Sequence, residues 1–236
     1  SSAAILSSLV SKGYIFLLIK IIYRVIGFNI FNNTRIIDVL FVFGLMGMIF
    51  GSISAIREND IRRMIAYSSV AQIGYIYMGF GMGTQAGMVA SVFHILSHAA
   101  TKSLLFIAAI GLTDVSGGSR KLTDLTGAAY RNKWAGAAFM AGSLSMVGVP
   151  LFSGFISKLL FSQAAVQVEG KMLASLIVLG ISTVLNAIYF MKTVIRIYTS
   201  NRESAYPSVT FRDMKSYAAV LICFMILNVI LGVSSQ

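Results

Sequence analysis

The chain has 236 residues, of which 57% are apolar and only 11% charged, with a formal charge of +11 and a mean hydropathy of +0.82. A soluble domain carries about 25% charged residues, so this chain lacks the polar surface to face water, and lipid must be its solvent. In a soluble protein such a positive charge would point to nucleic acid; here the basic residues sit mostly between apolar runs and read as an orientation signal.

In chain order, the sequence begins Ser1-Ser2-Ala3-Ala4, without Met and without the basic n-region or cleavage site of a signal peptide. That start reads as a fragment, or a processed piece, of something longer. A membrane span needs about 20 mostly apolar residues, and seven stretches qualify. They run roughly 3–28, 37–56, 64–83, 87–112, 134–168, 172–191 (continuing as helix to about 199) and 216–235. The fifth is too long for one straight helix and contains Gly148-Val149-Pro150 and Gly154. Proline removes a helix hydrogen bond and clashes with the preceding turn, so this stretch is one broken span or two spans. Cys223, the one cysteine, lies in the last apolar run, so the chain builds no disulfide and no thiolate metal site.

Charge placement favours seven spans. One side then receives Arg57, Arg62, Arg63, Arg120, Lys121, Arg131, Lys133, Lys192, Arg196, Arg202, Arg212 and Lys215, and the other only Arg24, Arg35 and Lys171. The excess marks the cytoplasmic side. It puts the first residues and the long polar loops, 113–133 and 200–215, inside and Gln236 outside. The expected fold is all-α, a polytopic transmembrane bundle of about seven spans with one broken helix, forming a single domain over residues 1–236.

Four lysines remain within apolar stretches: Lys12, Lys20, Lys102 and Lys158. A basic residue there costs about 2.5–3.5 kcal/mol on insertion scales and usually faces a bundle interior or an ion path. Lys20 lies nearer the outer end and reads as a snorkelling side chain. Lys12 lies near mid-span, too deep to snorkel. The fourth span carries both histidines of the chain, in Phe93-His94-Ile95-Leu96-Ser97-His98-Ala99-Ala100-Thr101-Lys102. At 100° per residue His94, His98 and Lys102 share one face. Histidine exchanges protons near neutrality through two ring nitrogens, and a desolvated lysine moves toward its neutral form. Lys158 follows the break, and broken helices recur at transporter binding sites. All eight acids lie at span ends or in loops, so these bases have no carboxylate counter-ion nearby. That asymmetry suits a proton relay better than a Na⁺ cage of oxygen ligands.

Enzyme chemistry finds little support. His94 and His98 sit on one face of one helix and cannot be opposite axial ligands of a haem iron, and no further metal ligands lie near in sequence. The chain has no nucleophile–base pair, CxxC, GxGxxG or P-loop. Patches such as Tyr67-Ser68-Ser69 read as helix-packing glue. No catalytic residue, cofactor or metal site is expected.

At these residues the sequence resembles the antiporter-like subunits of respiratory complex I and the large subunits of multi-subunit Na⁺/H⁺ antiporters and membrane-bound hydrogenases. The matching segments are Ser11-Lys12-Gly13-Tyr14, the run from Asp60 to Tyr75, the His94/His98/Lys102 stripe, and Gly148-Val149-Pro150 followed by Ser153-Gly154-Phe155-Ile156-Ser157-Lys158. The resemblance implies a fourteen-helix subunit of two inverted five-helix repeats, of which this chain is the second half, helix eight to helix fourteen. It implies that Lys12 links the half-channels, that His94, His98 and Lys102 form the helix-eleven stripe, and that Lys158 is the exit-side lysine of helix twelve. Two departures stand out. The family's glutamate–lysine pair belongs to the first half and is missing here, and Gln72 stands where some relatives have histidine.

The expected function is proton or cation translocation in a redox-driven complex through Lys12, His94, His98, Lys102 and Lys158. The alternatives are a multi-subunit Na⁺/H⁺ antiporter subunit, a stand-alone antiporter, and a structural membrane subunit. The expected partners are other membrane subunits, the bilayer, and protons or Na⁺, with no nucleic acid. The expected location is the cell inner or plasma membrane, or an organellar inner membrane.

Overall fold

The structure, a computed structural model, describes residues 10–27, 30, 34–199 and 214–233, without the side chains of Ser11, Lys12 and Tyr23. The expected start of the first span, most of the loop 200–215 and the end of the last span fall outside the described residues. The elements are α1 (Ser11–Lys20, continued by a π-wound stretch, Ile21–Ile26), α2 (Ile36–Arg57), α3 (Ile61–Gly81), α4 (Gln85–Asp114), α5 (Ala128–Arg131), α6 (Lys133–Val147), α7 (Ser153–Val166), α8 (Glu169–Tyr198) and α9 (Lys215–Val233). Among the described residues there is no strand, and one isolated bridge joins Asp60 to Lys121. Four of these helices, α2, α4, α8 and α9, are long and apolar enough to cross a membrane.

Local sequence sets the helix ends. Asp60 accepts hydrogen bonds from the amides of Arg62 and Arg63 at 2.8 and 3.1 Å and caps α3. Thr84 does the same for Gly87 at the start of α4, and Asn132 for Ala135 at the start of α6, each at 3.1 Å. These oxygens satisfy amides that the helix itself leaves open. Between α2 and α3 the backbones touch: a Cβ on Gly74 would lie 2.6 Å from the Gly44 carbonyl and the Met48 amide. Small residues permit such close approach where lipid offers no hydrophobic drive to bring helices together.

Helix α4 runs through the centre. In its most apolar window 72% of residues are buried, against 33% in α2, 28% in α8 and 22% in α9. Its apolar residues Leu104, Leu105 and Ala108 join Ile65, Phe139 and Phe190 in the main core. Two loops are tied at one end of the bundle, where Ile61 donates to the Arg120 carbonyl at 3.0 Å and Leu122 to that of Asn59 at 2.7 Å. At another connection Lys171 pairs with Asp38 at 2.6 Å and donates to the Gly81 carbonyl at 2.7 Å. Arg131, read from sequence as one more topology charge, is buried instead. Its guanidinium donates to the carbonyls of Val115 at 2.8 Å and Thr126 at 3.3 Å and to Ser116 Oγ at 2.9 Å, fastening the loop between α4 and α6.

Candidate functional site

The fifth apolar stretch is two helices, α6 and α7, separated by Gly148–Phe152. Gly148 ends α6 in the left-handed region at φ 91°. Its amide donates to the carbonyls of Leu144 and Ser145, and the Val149 amide to Leu144, each at 3.0 Å. This closing motif uses those two carbonyls and leaves the next two open. The open ones belong to Met146 and Val147, and Lys158 from the first turns of α7 reaches back to them, at 3.1 and 2.5 Å. A helix C-terminus carries partial negative charge, so the break itself supplies the acceptors that a carboxylate would otherwise provide. Leu151, the one non-glycine at positive φ among the described residues (80°), shows that the backbone here is held against its preference.

On α4 the predicted face exists and is buried. His94 and His98 lie one turn apart with parallel rings, 5.8 Å between centroids and 2° between planes. Tyr75 of α3 stacks on His94 at 5.4 Å, and Phe161 of α7 meets the same ring edge-on at 5.5 Å. His94 Nδ1 shares a hydrogen bond with Ser157 Oγ at 2.6 Å. Lys102, one turn beyond His98, is fully buried. Its amine donates to the Ile65 carbonyl at 2.8 Å and to Ser68 Oγ, both on α3, and lies 6.0 Å from the centre of the Phe190 ring on α8. Ser68, expected only to glue helices, is therefore also a lysine ligand.

A small cavity, about 10 Å³, is bordered by Gln72, His94, Ser97, His98, Thr101, Ser145, Met146, Gly154 and Lys158. That is the lower limit of space for one water. The cavity brings together both histidines and the lysine of the broken helix, three of the five residues predicted from sequence. Lys102 does not border it, because its amine turns to α3. The side chain of Lys12 lies outside the described residues. Lys20 is exposed.

Sequence reading missed the neutral lining. Ser97, Thr101 and Ser145 are buried, as is Asn228 of α9, which hydrogen-bonds Thr101, Ser145 and Ser153. Ser97 and Thr101 follow helical spacing on α4 with the histidines, a signal available in sequence; Ser145 lies on α6. Asn228, far along the chain, had none. The arrangement of ring nitrogens, hydroxyls and an amine has the groups that proton exchange needs.

Solved structures share this fold. A chain of the membrane-bound sulfane sulfur reductase, an archaeal respiratory membrane complex, is 26% identical with a TM-score of 0.84, covering 98% of this chain and 46% of that one. A chain of the Mrp complex from Dietzia sp. is 24% identical with a TM-score of 0.76, covering 89% and 47%. Among curated relatives, NADH-quinone oxidoreductase subunit N of Desulforudis audaxviator is 35% identical over 180 residues, 75% of this chain and 35% of that protein. The corresponding subunit N of Rhodococcus opacus is 29% identical over 192 residues, 81% of this chain and 35% of the relative. The chain thus spans about a third of the length of these curated relatives and under half of the solved chains. Residues 1–185 match the family described as NADH:quinone oxidoreductase/Mrp antiporter, TM. The chain is a multi-pass membrane protein and belongs to the NADH:quinone oxidoreductase/Mrp antiporter transmembrane family.

Proposed function

We propose that this chain is the second half of an antiporter-like subunit in a redox-driven membrane complex, and that it carries protons along a buried Lys/His relay. In this reading it crosses the membrane seven times, with α6 and α7 as one broken span, and forms half of an inverted-repeat fold. Protons enter by Lys12, pass along the α4 stripe of His94, His98 and Lys102, and leave by Lys158. The catalytic electron transfer belongs to partner subunits. The names of the curated relatives, NADH-quinone oxidoreductase subunit N, favour a quinone-reducing parent complex over an Mrp-type Na⁺/H⁺ antiporter.

The observation that carries this reading is the cavity bordered by His94, His98 and Lys158. One water there would connect imidazole to amine, and among the described residues no buried carboxylate is present to trap the proton. Lys102 sits off the cavity, one turn beyond His98 on the same stripe. A purely structural subunit would gain nothing from keeping amines and imidazoles in a space closed to lipid, where each is costly.

The experiment is proton pumping by membranes that carry the assembled complex. Lys158→Ala is expected to cut pumping about tenfold or more, a barrier increase of about 1.4 kcal/mol, while the complex still assembles. Coupled pumping at the unsubstituted rate would end the reading.

A further inference from the structure

Asn228 lies on α9, outside every motif that the sequence singles out, and is 1% exposed. Its side-chain amide stands where α4, α6, α7 and α9 meet. Oδ1 accepts hydrogen bonds from Ser145 Oγ and Ser153 Oγ, both at 2.7 Å. Thr101 Oγ1 is 3.2 Å from the same oxygen and accepts from Nδ2 at 3.0 Å. Next to it, Gly232 lets α9 press on the chain at the break: a Cβ there would lie 2.7 Å from the Phe152 carbonyl carbon.

A hydroxyl has one proton to give and two lone pairs to offer. Ser145 and Ser153 give theirs to Asn228. Ser97 gives its proton to Ser153 Oγ at 2.7 Å, and Thr101 gives its own to the Ser97 carbonyl at 2.8 Å. The three hydroxyls that border the cavity, Ser97, Thr101 and Ser145, have therefore all committed their protons away from it. What they present inward is lone pairs. The charged or titratable groups around that space are His94 and His98 from α4 and Lys158 from α7, joined by the neutral Gln72 from α3. Among the described residues, α6, α8 and α9 add no buried acid.

We infer that Asn228 is a positioning residue whose amide oxygen fixes the hydrogen-bond polarity of the cavity between His98 and Lys158, so that the cavity accepts a proton-bearing donor. The inference rests on the relay reading and deepens it. The hydrogen bonds of Asn228 run to hydroxyls rather than to a histidine ring or the lysine amine; it acts through the groups it orients. Without an acceptor at that point, Ser145 and Ser153 turn their protons to whatever acceptor remains, the cavity included, and a cationic carrier meets donors where it needs acceptors.

The test compares two variants in membranes carrying the assembled complex, with pumping normalised to the rate of the driving reaction. Asn228→Leu keeps the branched outline and removes the acceptor; Asn228→Gln keeps a neutral amide oxygen. The expected result is a loss of about fivefold or more for Asn228→Leu and retention of at least about half for Asn228→Gln, differences that correspond to barrier changes well within reach of one oriented dipole. Packing alone predicts the reverse order, since leucine suits an apolar helix better. Equal losses in both variants, or none in Asn228→Leu, overturn the inference. Lys158→Ala in the same membranes separates the two levels: pumping that survives it refutes the relay, whereas pumping lost by Lys158→Ala and kept by Asn228→Leu refutes only the role of Asn228. Where Asn228→Leu does not assemble, Ser145→Ala decides, with pumping reduced several-fold under the inference and unchanged without it.

Discussion

Lys158 and Lys102 are both lysines held inside the bundle, and they are held in different ways. Lys158 rests on two carbonyls, Met146 and Val147, that exist as free acceptors because the helix stops there. Lys102 rests on the Ile65 carbonyl and the Ser68 hydroxyl of α3, a helix that does not break. The first amine borders the small cavity and the second does not. A broken helix makes a site for a cation from carbonyls its ladder leaves open, whereas the intact helix offers Lys102 a carbonyl and a side-chain hydroxyl. Lys171 is the contrasting third case, partly exposed and paired with Asp38 in the ordinary way.

The comparison can be broken most strongly by removing each amine in turn. Lys158→Met is expected to lower pumping by about tenfold or more, and Lys102→Met by about threefold, both measured as proton uptake per turnover in the assembled complex. Equal losses would mean that the cavity does not distinguish the two. Next in size is Gly148→Ala. Its φ of 91° is left-handed, and a Cβ there would lie 2.9 Å from Lys158 Cδ. The backbone cost is about 1–2 kcal/mol, visible as a lower midpoint of thermal unfolding in detergent, together with a several-fold loss of pumping. Because the close contact is with the lysine stem, the same substitution in a Lys158→Ala background should lower the midpoint less.

Smaller effects sharpen the picture. Ser157→Ala removes the partner of His94 Nδ1, a hydrogen bond worth about 0.5–1.5 kcal/mol net. Pumping should fall about twofold to threefold, and the imidazole NMR signals of His94 should shift while those of His98 stay. Asp38→Asn is the smallest change. The Asp38 side chain is 62% exposed, exposed pairs contribute about 0–1 kcal/mol, and Lys171 keeps its bond to the Gly81 carbonyl. Neither stability nor pumping should move beyond error; a large loss would show that Lys171 belongs with the buried lysines after all.

Much of the architecture was legible because lipid imposes a simple code. Apolar length marked α2, α3, α4, α8 and α9 within a few residues, and Gly148-Val149-Pro150 marked the break between α6 and α7 because proline and a left-handed glycine stop a helix whatever surrounds it. Helical spacing put His94, His98 and Lys102 on one face. The sequence could not say where a long side chain ends. Lys102 shares the histidine face yet turns its amine to Ser68, and Arg131, counted with the surface cations, is buried under its loop.

Composition and spacing alone determined that this chain is a helical membrane protein with basic groups stationed inside it, since hydrophobicity and the 3.6-residue turn depend on nothing beyond neighbouring residues. Only the tertiary structure decided which of those groups meet. Lys158 shares a cavity with the histidines because α7 folds back beside α4, and Asn228 reaches Ser145 and Ser153 because α9 closes over the break. Such contacts join residues far apart in the chain, and it is the packing of whole helices that brings a lone pair within reach of a proton.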